Sequence, residues 1–271
     1  MYDTAHEHLS RVFREGFSAE DIAEPLVSFS ARSDVDEVRP VMESLGYDVA
    51  GVRQVGAVTG YARLDDLKTG LFGEHLLLFD PDDVISPATP LKNIIRMLSK
   101  RDRLFVTAFG KVAGIITRSD LQKPPVRMWL FGMITIIEMG VTRLIEERFP
   151  GDEWRDYISP ARLEKAEELL AERRRRSQDL RLLDCLQIAD KGQILVRDEH
   201  LRTIIEFPSR REGERRIRDM EQLRNNLAHS QDIITADWET IVRMAGNLDG
   251  IIELLTHSQV GLPLAVPDKG E

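Results

Sequence analysis

Three residues in the second half of the chain, Arg224, Asn225 and His229, are of the types needed to cleave RNA without a metal ion. The arginine can hold a phosphate through two parallel hydrogen bonds, and it stays charged at any physiological pH. The histidine titrates near neutrality, so its imidazole can take or give a proton. These types and this spacing indicate general acid–base chemistry on a phosphodiester.

Helix geometry restricts how these residues could work together. Residues 215–232 read as a polar helix, and a five-residue step turns about 140° from its starting position, at roughly 100° per residue. Arg224 and His229 would therefore lie on different faces. They converge only if the helix bends or ends near Ala228, or if a second subunit completes the site.

The composition is that of a soluble globular protein. The 271 residues, 42% hydrophobic and 31% charged, predict two domains. A net charge of −9 argues against a protein dedicated to wrapping nucleic acid. It is compatible with an enzyme that contacts RNA through a local basic patch. The single cysteine, Cys185, excludes an internal disulfide and fits a reducing cytosol.

We expect a cytoplasmic protein that does not contact a membrane. The first fifteen residues are polar and lack the apolar core of a signal peptide. The most apolar window, residues 128–137, is too short to cross a bilayer and runs into Glu138. No residues have the spacing of a zinc site, so we expect no metal.

The first half of the chain contains a repeat. Gly60 recurs as Gly114 and Asp66 as Asp120, an offset of 54 positions in each pair. Gly56 and Gly110 separate two β-branched runs, which predicts a hairpin in each copy. Helices are predicted at residues 33–45 and 89–98, capped by Ser33 and Thr89. Each copy then reads as a helix, two strands and a further helix.

This arrangement resembles a tandem of cystathionine-β-synthase-type (CBS) domains over residues 19–123. The second copy matches the family's pattern in Gly114-Ile-Ile-Thr117-Arg-Ser-Asp120. In relatives that bind adenine nucleotides, the hydroxyl holds phosphate and the carboxylate holds ribose, which the resemblance carries to Thr117 and Asp120. The first copy keeps Asp66 but has Arg63 where Thr117 stands; Arg63 could bind a phosphate or block that half-site. The alternative is that Asp66 and Asp120 only stabilise a helix start, as in CBS pairs that serve as dimerisation platforms.

The second half reads as all helical. Lys123-Pro124-Pro125 predicts a joint between the domains. Helices are predicted at residues 128–148, 180–189, 199–206, 219–229 and 238–255, and another begins at Ser159-Pro160. Together they are typical of a bundle.

The helical half, ending in Arg224-Asn225-x-x-x-His229, resembles the HEPN superfamily of nucleotide-binding and ribonuclease domains. The resemblance implies a homodimer in which two copies of the motif meet around one phosphate. His229 would be general base or acid, Arg224 would stabilise the pentacovalent phosphate, and Asn225 would orient a neighbour or bind phosphate. Glu138 is a candidate supporting acid, or else marks where its helix emerges to solvent.

Nearby charges could serve the same site. Arg210, Arg211, Arg215, Arg216 and Arg218 precede the motif and would supply a positive field for RNA if they face one cleft. The alternative is a solvated helix face on which they pair with Glu212, Glu214 and Asp219.

The predicted fold class is α+β. The predicted domains are a CBS pair at residues 1–123 (copies at 19–68 and 84–123), a HEPN-like helical domain at 126–260 and a flexible tail at 261–271. The predicted activity is metal-independent endoribonuclease cleavage, leaving a 2′,3′-cyclic phosphate, with no catalytic cofactor and with ATP, ADP or AMP as an effector. One alternative is a non-catalytic nucleotide-sensing regulator, in which the helical domain dimerises and binds a partner. Another is a helical subunit that works with a separate toxin or antitoxin, in a defence-like role.

Overall fold

The chain forms two compact units in the computed structural model, which describes residues 11–13, 16–229 and 231–257. The N-terminal unit is Arg14–Trp129, and the helical unit joins Leu130–Glu271 with Met1–Phe13. The division falls six residues after the predicted end of the CBS pair, and it assigns the first residues of the chain to the helical unit. The side chains of residues 247–257 and the predicted tail at 261–271 lie outside the described part.

The described part of the N-terminal unit contains two four-stranded sheets. Their strands are β1 (Glu24–Pro25), β2 (Ser28–Ser30), β3 (Val49–Gln54), β4 (Ala57–Arg63), β5 (Leu77–Leu78), β6 (Val84–Ile85), β7 (Arg103–Ala108) and β8 (Lys111–Thr117). The first sheet has the order β2-β3-β4-β5, and the second has the order β1-β8-β7-β6. The β2–β3 and β6–β7 pairs are parallel, and the other neighbours are antiparallel.

The predicted repeat is present at the level of backbone detail. β3 and β7 begin at equivalent positions, and each has a register shift at the same place, Val52/Arg53 and Val106/Thr107. The predicted hairpin turns are confirmed: Gly56 has φ +81° and Gly110 has φ +75°. The residue before each glycine also has positive φ, as two-residue turns of the primed type require.

The two copies exchange their edge strands. β5 precedes the second copy along the chain but pairs with β4 of the first, with Gly60 opposite Leu78. β1 lies at the start of the first copy but pairs with β8 of the second, with Gly114 opposite Pro25. Each sheet is therefore completed by a strand from outside its own repeat, which makes the pair one folding unit.

The helices of the N-terminal unit differ in detail from the prediction. α1 (Val35–Leu45) is capped by Asp34, whose carboxylate accepts from the Asp36 amide at 2.9 Å, rather than by Ser33. α2 (Leu91–Leu98) follows Pro90 rather than Thr89. The predicted closing helices are single 3-10 turns, Leu64–Asp66 and Arg118–Gln122.

Six α-helices lie in the described part of the chain after residue 123, and the first of them begins in the last residues of the N-terminal unit. They are α3 (Pro124–Arg148), α4 (Pro160–Arg175), α5 (Ile188–Arg197), α6 (Glu199–Ile204), α7 (Arg210–Ala228) and α8 (Ile234–His257). The predicted helix at 180–189 is wrong, because a 3-10 turn at Leu182–Cys185 precedes α5. Pro124 and Pro125, at the predicted joint, form the first turn of α3, where their missing amides cost nothing.

α3 is the hydrophobic centre of this half. It is 25 residues long, and its most apolar window has mean hydropathy 1.5 and is 67% buried within the protein. By length and composition it is the one helix in the described part that could cross a membrane, so the prediction that this segment is too short is wrong. A mostly buried core helix passes the same test, so the feature is weak evidence for a membrane span.

α5 and α7 pack closely because glycines lie where they meet. A Cβ atom on Gly192 would lie 2.5 Å from Ile217, and one on Gly213 would lie 2.6 Å from Val196. This contact fixes the middle of α7, the helix that carries the Arg-Asn-x-x-x-His sequence.

Candidate functional site

The predicted ribonuclease residues lie at the C-terminal end of α7. Arg224 and Asn225 are in its last turns, and His229 is the residue that ends it, with φ −102° and ψ 14°. All three are exposed, and none makes a side-chain hydrogen bond or ion pair with the described part of the chain. They are therefore free to meet a substrate or a second subunit.

The structure does not stack Arg224 and His229 on one face. The helix ends at Ala228, as the spacing required, and the His229 amide donates to the Asn225 carbonyl at 3.0 Å. At about 100° per residue, however, Arg224 lies near the line of buried Ile217, and His229 lies on the opposite, outer side. Within one chain, Arg224 and His229 therefore lie on different sides of α7.

A neighbour of the motif, Asn226, anchors the end of α7. Its Nδ2 donates to Oδ2 of Asp237 on α8 at 2.7 Å. Asp237 is 3% exposed, and this burial raises the pKa of its carboxyl, although the hydrogen bond from Asn226 acts in the opposite direction. Sequence reasoning missed both residues, since nothing in their spacing distinguishes them from ordinary polar positions.

Glu138 has a partner on another helix. Its Oε1 accepts from Nζ of Lys191 on α5 at 3.2 Å, and Lys191 is only 4% exposed. The charge that interrupts the apolar face of α3 therefore faces a buried cation. Its predicted support of the motif stays a prediction.

The arginines before the motif divide into two groups. Arg210 pairs with Glu214, and Arg215 and Arg216 both pair with Glu212, so the expectation of ion pairs on the helix face holds for these three. The hydrogen bonds from Arg215 and Arg216 lower the pKa of Glu212 to about 2. Arg211 and Arg218 are exposed and make no ion pair with described residues.

The predicted nucleotide residues lie where β8 ends. The carboxylate of Asp120 accepts from the Thr117 amide at 2.7 Å and from the Thr117 hydroxyl at 3.1 Å. The Thr117 hydroxyl is also 2.7 Å from that of Ser119. Asp120 is 7% exposed, so this loop is held in place by its own carboxylate.

Lys123, which sequence reasoning missed, supplies the counter-charge. Its Nζ is 2.9 Å from Oδ1 of Asp120, donates to the Ile22 carbonyl at 2.6 Å and pairs with Glu24. Burial lowers the pKa of Lys123, but the hydrogen bonds that its ammonium donates to the carboxylates of Glu24 and Asp120 outweigh this effect and raise the pKa overall. A fixed cation beside a carboxylate is suited to a ligand that carries both hydroxyls and phosphate.

The equivalent positions of the first copy are more open. Arg63 lies 3.8 Å from Asp66, and their side chains are 49% and 56% exposed. They occupy the places of Thr117 and Asp120. The structure joins them as a surface ion pair, so Arg63 does not fill a buried pocket.

The described part of the chain contains no ready site for a metal ion. No group of three or more His, Cys, Asp or Glu side chains there is arranged to hold a metal ion. Cys185 is buried, and burial raises the pKa of its thiol, which makes it a poor nucleophile.

Comparison with known proteins identifies one part of the chain. Residues 80–124 match the family model of the CBS domain. This segment contains the second copy, including Gly114, Thr117 and Asp120, so the predicted CBS resemblance is confirmed there. No curated protein matches the chain.

Several solved structures are similar to part of the chain. CBSX2 from Arabidopsis thaliana is 21% identical over 39% of this chain and 91% of its own, with a TM-score of 0.34. A structure of CBSX2 in complex with AMP is 21% identical over 39% and 93%, with a TM-score of 0.35. The CBS domain of a bacterial CNNM/CorC family Mg²⁺ transporter in complex with ATP is 15% identical over 46% and 97%, with a TM-score of 0.35.

The predicted fold class is confirmed in its coarser form. The chain is α+β, with a CBS-like N-terminal part and a helical C-terminal region. The assignment of that region to the HEPN superfamily remains a prediction.

Proposed function

We propose that the N-terminal unit binds an adenine nucleotide and that the protein is a nucleotide-responsive regulator. The observation that carries this proposal is the Thr117–Asp120–Lys123 cluster within the segment that matches the CBS domain. A carboxylate has about four lone-pair sites, so Asp120 can accept a ribose hydroxyl while it still caps Thr117. Lys123 holds a positive charge beside the same loop, where it would attract a phosphate.

Calorimetry tests nucleotide binding directly. The purified full-length chain is titrated with AMP, ADP and ATP, alongside Asp120→Asn and the matched control Asp65→Asn. The amide in Asp120→Asn keeps an oxygen that can accept from Thr117 but loses the charge that attracts a ribose hydroxyl. We expect heat with the wild type and the control, and at least about tenfold weaker binding in Asp120→Asn. Absence of heat with all three nucleotides, or heat that does not depend on Asp120, contradicts the proposal.

We propose a second activity for the helical unit, metal-independent RNA cleavage. The observation that favours it is the end of α7, where Arg224, Asn225 and His229 are exposed without partners in the described part. His229 would move protons at the 2′-hydroxyl and the leaving oxygen, and Arg224 would stabilise charge on the phosphate. Asn225 would hold the phosphate or orient a neighbouring group.

The opposite directions of Arg224 and His229 favour a site shared by two subunits. In a homodimer, the arginine of one chain and the histidine of the other could lie at one phosphate. A nucleotide in the N-terminal unit could then regulate cleavage, if it binds one arrangement of the dimer more tightly than another. This arrangement is the HEPN-like dimer that the sequence resemblance implies.

Cleavage of a fluorescent single-stranded RNA in EDTA tests the second activity. We expect cyclic-phosphate products with the wild type and a loss of at least about 100-fold in His229→Ala and Arg224→Ala. His200→Ala, which changes an exposed histidine elsewhere in the unit, should keep full activity. A mixture of the His229 and Arg224 variants tests the shared site, because each mixed dimer would retain one intact Arg–His combination. No cleavage with or without nucleotide contradicts the ribonuclease.

A further inference from the structure

The outer side of α7 carries a continuous row of exposed polar side chains. Their spacing alternates between four and three residues, which keeps all of them within about 40° of one line along the helix. At 1.5 Å per residue the row is about 27 Å long. We call it the outer row; its members are Arg211, Arg215, Arg218, Gln222, Asn225 and His229, all exposed.

The outer row contains hydrogen-bond donors and no carboxylate. α7 has six arginines and four acidic residues, but the acidic residues lie off this line. Glu212 and Glu214 pair with arginines of the same helix, and Asp219 pairs with Arg243 of α8 at 2.9 Å. Glu221 is the one acidic residue of α7 without an ion pair to described residues.

Two guanidinium groups in the row have no counter-charge among the residues that the structure describes. Arg211 and Arg218 make no ion pair there, whereas Arg215 shares Glu212 with Arg216. An exposed guanidinium holds a phosphate through two parallel hydrogen bonds. Two of them seven residues apart, followed by Gln222 and Asn225, can contact several phosphates of one strand.

The overall charge makes this row distinctive. The chain carries a net charge of −9, so most of its surface repels a polyanion. A nucleic acid would approach favourably only where positive charge is concentrated, and the outer row leads from Arg211 directly to His229. A single strand suits the row, since its phosphates can follow one straight line of side chains.

We propose that the outer row of α7 binds the phosphate backbone of single-stranded RNA and leads it to the end of the helix. The choice of RNA rests on the proposed ribonuclease function; the choice of a phosphate backbone rests on the charges of the row. Arg211 and Arg218 are the binding residues of this surface, and they take no part in the chemical step.

Binding is measured with 2′-O-methyl RNA, which lacks the hydroxyl needed for cleavage. Fluorescence anisotropy compares wild type with the double variant Arg211→Gln, Arg218→Gln over a range of salt concentrations. We expect affinity at 0.1 M salt to fall about tenfold, and the slope of log affinity against log salt to shrink by about 1.4, or roughly 0.7 per lost phosphate contact. The matched control, Lys165→Gln with Arg174→Gln, removes two exposed charges from α4 and should change affinity less than about twofold.

Three results would overturn the proposal: no binding by wild type, an unchanged affinity in the α7 variant, or an equal loss in the α4 control. The last would mean that only total charge matters. Failure of the ribonuclease is distinguishable from failure of this surface. Binding that depends on the outer row, with no cleavage of natural RNA, would support the surface and contradict the enzyme. Cleavage of natural RNA that is equally fast in the wild type and the double variant would support the enzyme and contradict the surface.

Discussion

Nδ2 of Asn226 donates a hydrogen bond to Oδ2 of Asp237 over 2.7 Å, and this bond joins the end of α7 to the start of α8. Asp237 is 3% exposed, so its carboxylate depends on partners within the protein. The bond lies beside Asn225 and three residues before His229. The positions of the candidate ribonuclease residues therefore depend on a neighbour that has no chemical role of its own.

Asn226→Ala should destabilise the protein by about 1–3 kcal/mol, because it removes a donor from a buried carboxylate. Urea unfolding measures this loss. Asn225→Ala, one residue earlier on the exposed side, is the matched control and should change the free energy of unfolding by less than about 0.5 kcal/mol. Equal effects of the two substitutions would mean that the bond to Asp237 contributes nothing.

Asp237→Asn should change the pH dependence of stability. Burial raises the pKa of Asp237 above its ordinary value of 3.8, so the folded state binds a proton that the unfolded state has already released. Wild type therefore loses stability as pH rises from about 3.8 through the folded-state pKa, and the loss is complete above it. The asparagine variant does not titrate and should gain relative to wild type over that window.

Urea unfolding from about pH 4 to pH 7 measures this difference between variant and wild type. Asp179→Asn removes the same charge from an exposed position and controls for the change in net charge. A difference that is constant across the range for Asp237→Asn would contradict the prediction.

Lys123→Met should destabilise the N-terminal unit by about 1–3 kcal/mol, because Asp120 would keep its burial and lose its cation. The first copy provides the control. Arg63→Met breaks an ion pair whose members are about half exposed, and such pairs contribute at most about 1 kcal/mol. Thermal unfolding compares the two variants, and a larger loss in Arg63→Met would contradict the assigned roles.

Gly192→Ala should destabilise the helical unit by about 1–3 kcal/mol, since its new Cβ would lie 2.5 Å from Ile217. Gly246→Ala makes the same change in α8, where no described atom lies within 4 Å, and should stabilise by about 0.5–1 kcal/mol. Ile217→Ala should relieve part of the Gly192→Ala loss in the double variant. Strict additivity would show that these two residues do not contact each other.

The features that depend on local chemistry could be predicted from the residues alone. The repeat was readable because two segments carry the same β-branched runs, the same glycine turns and the same aspartate, and each of these acts on its immediate neighbours. The start of α4 at Ser159-Pro160 and the end of α7 near Ala228 were readable for the same reason. Most helix boundaries were predicted less accurately. α7 begins nine residues before its predicted start, because its first turns are charged throughout and carry no apolar pattern that would mark them as helical.

Which side chains pair with one another depends on tertiary packing, which brings together residues that are far apart in the sequence. The exchange of β1 and β5 between sheets could not be predicted, because strands of two residues exist only through their partners. The pairing of Glu138 with buried Lys191, and of Asp120 with Lys123, joins residues by packing rather than by pattern. The arginines of α7 look alike in the sequence, and the placement of carboxylates around them leaves Arg211 and Arg218 without an ion pair to any described residue. Residue types set which reactions are available, but relative position in the folded chain sets which charges remain uncompensated.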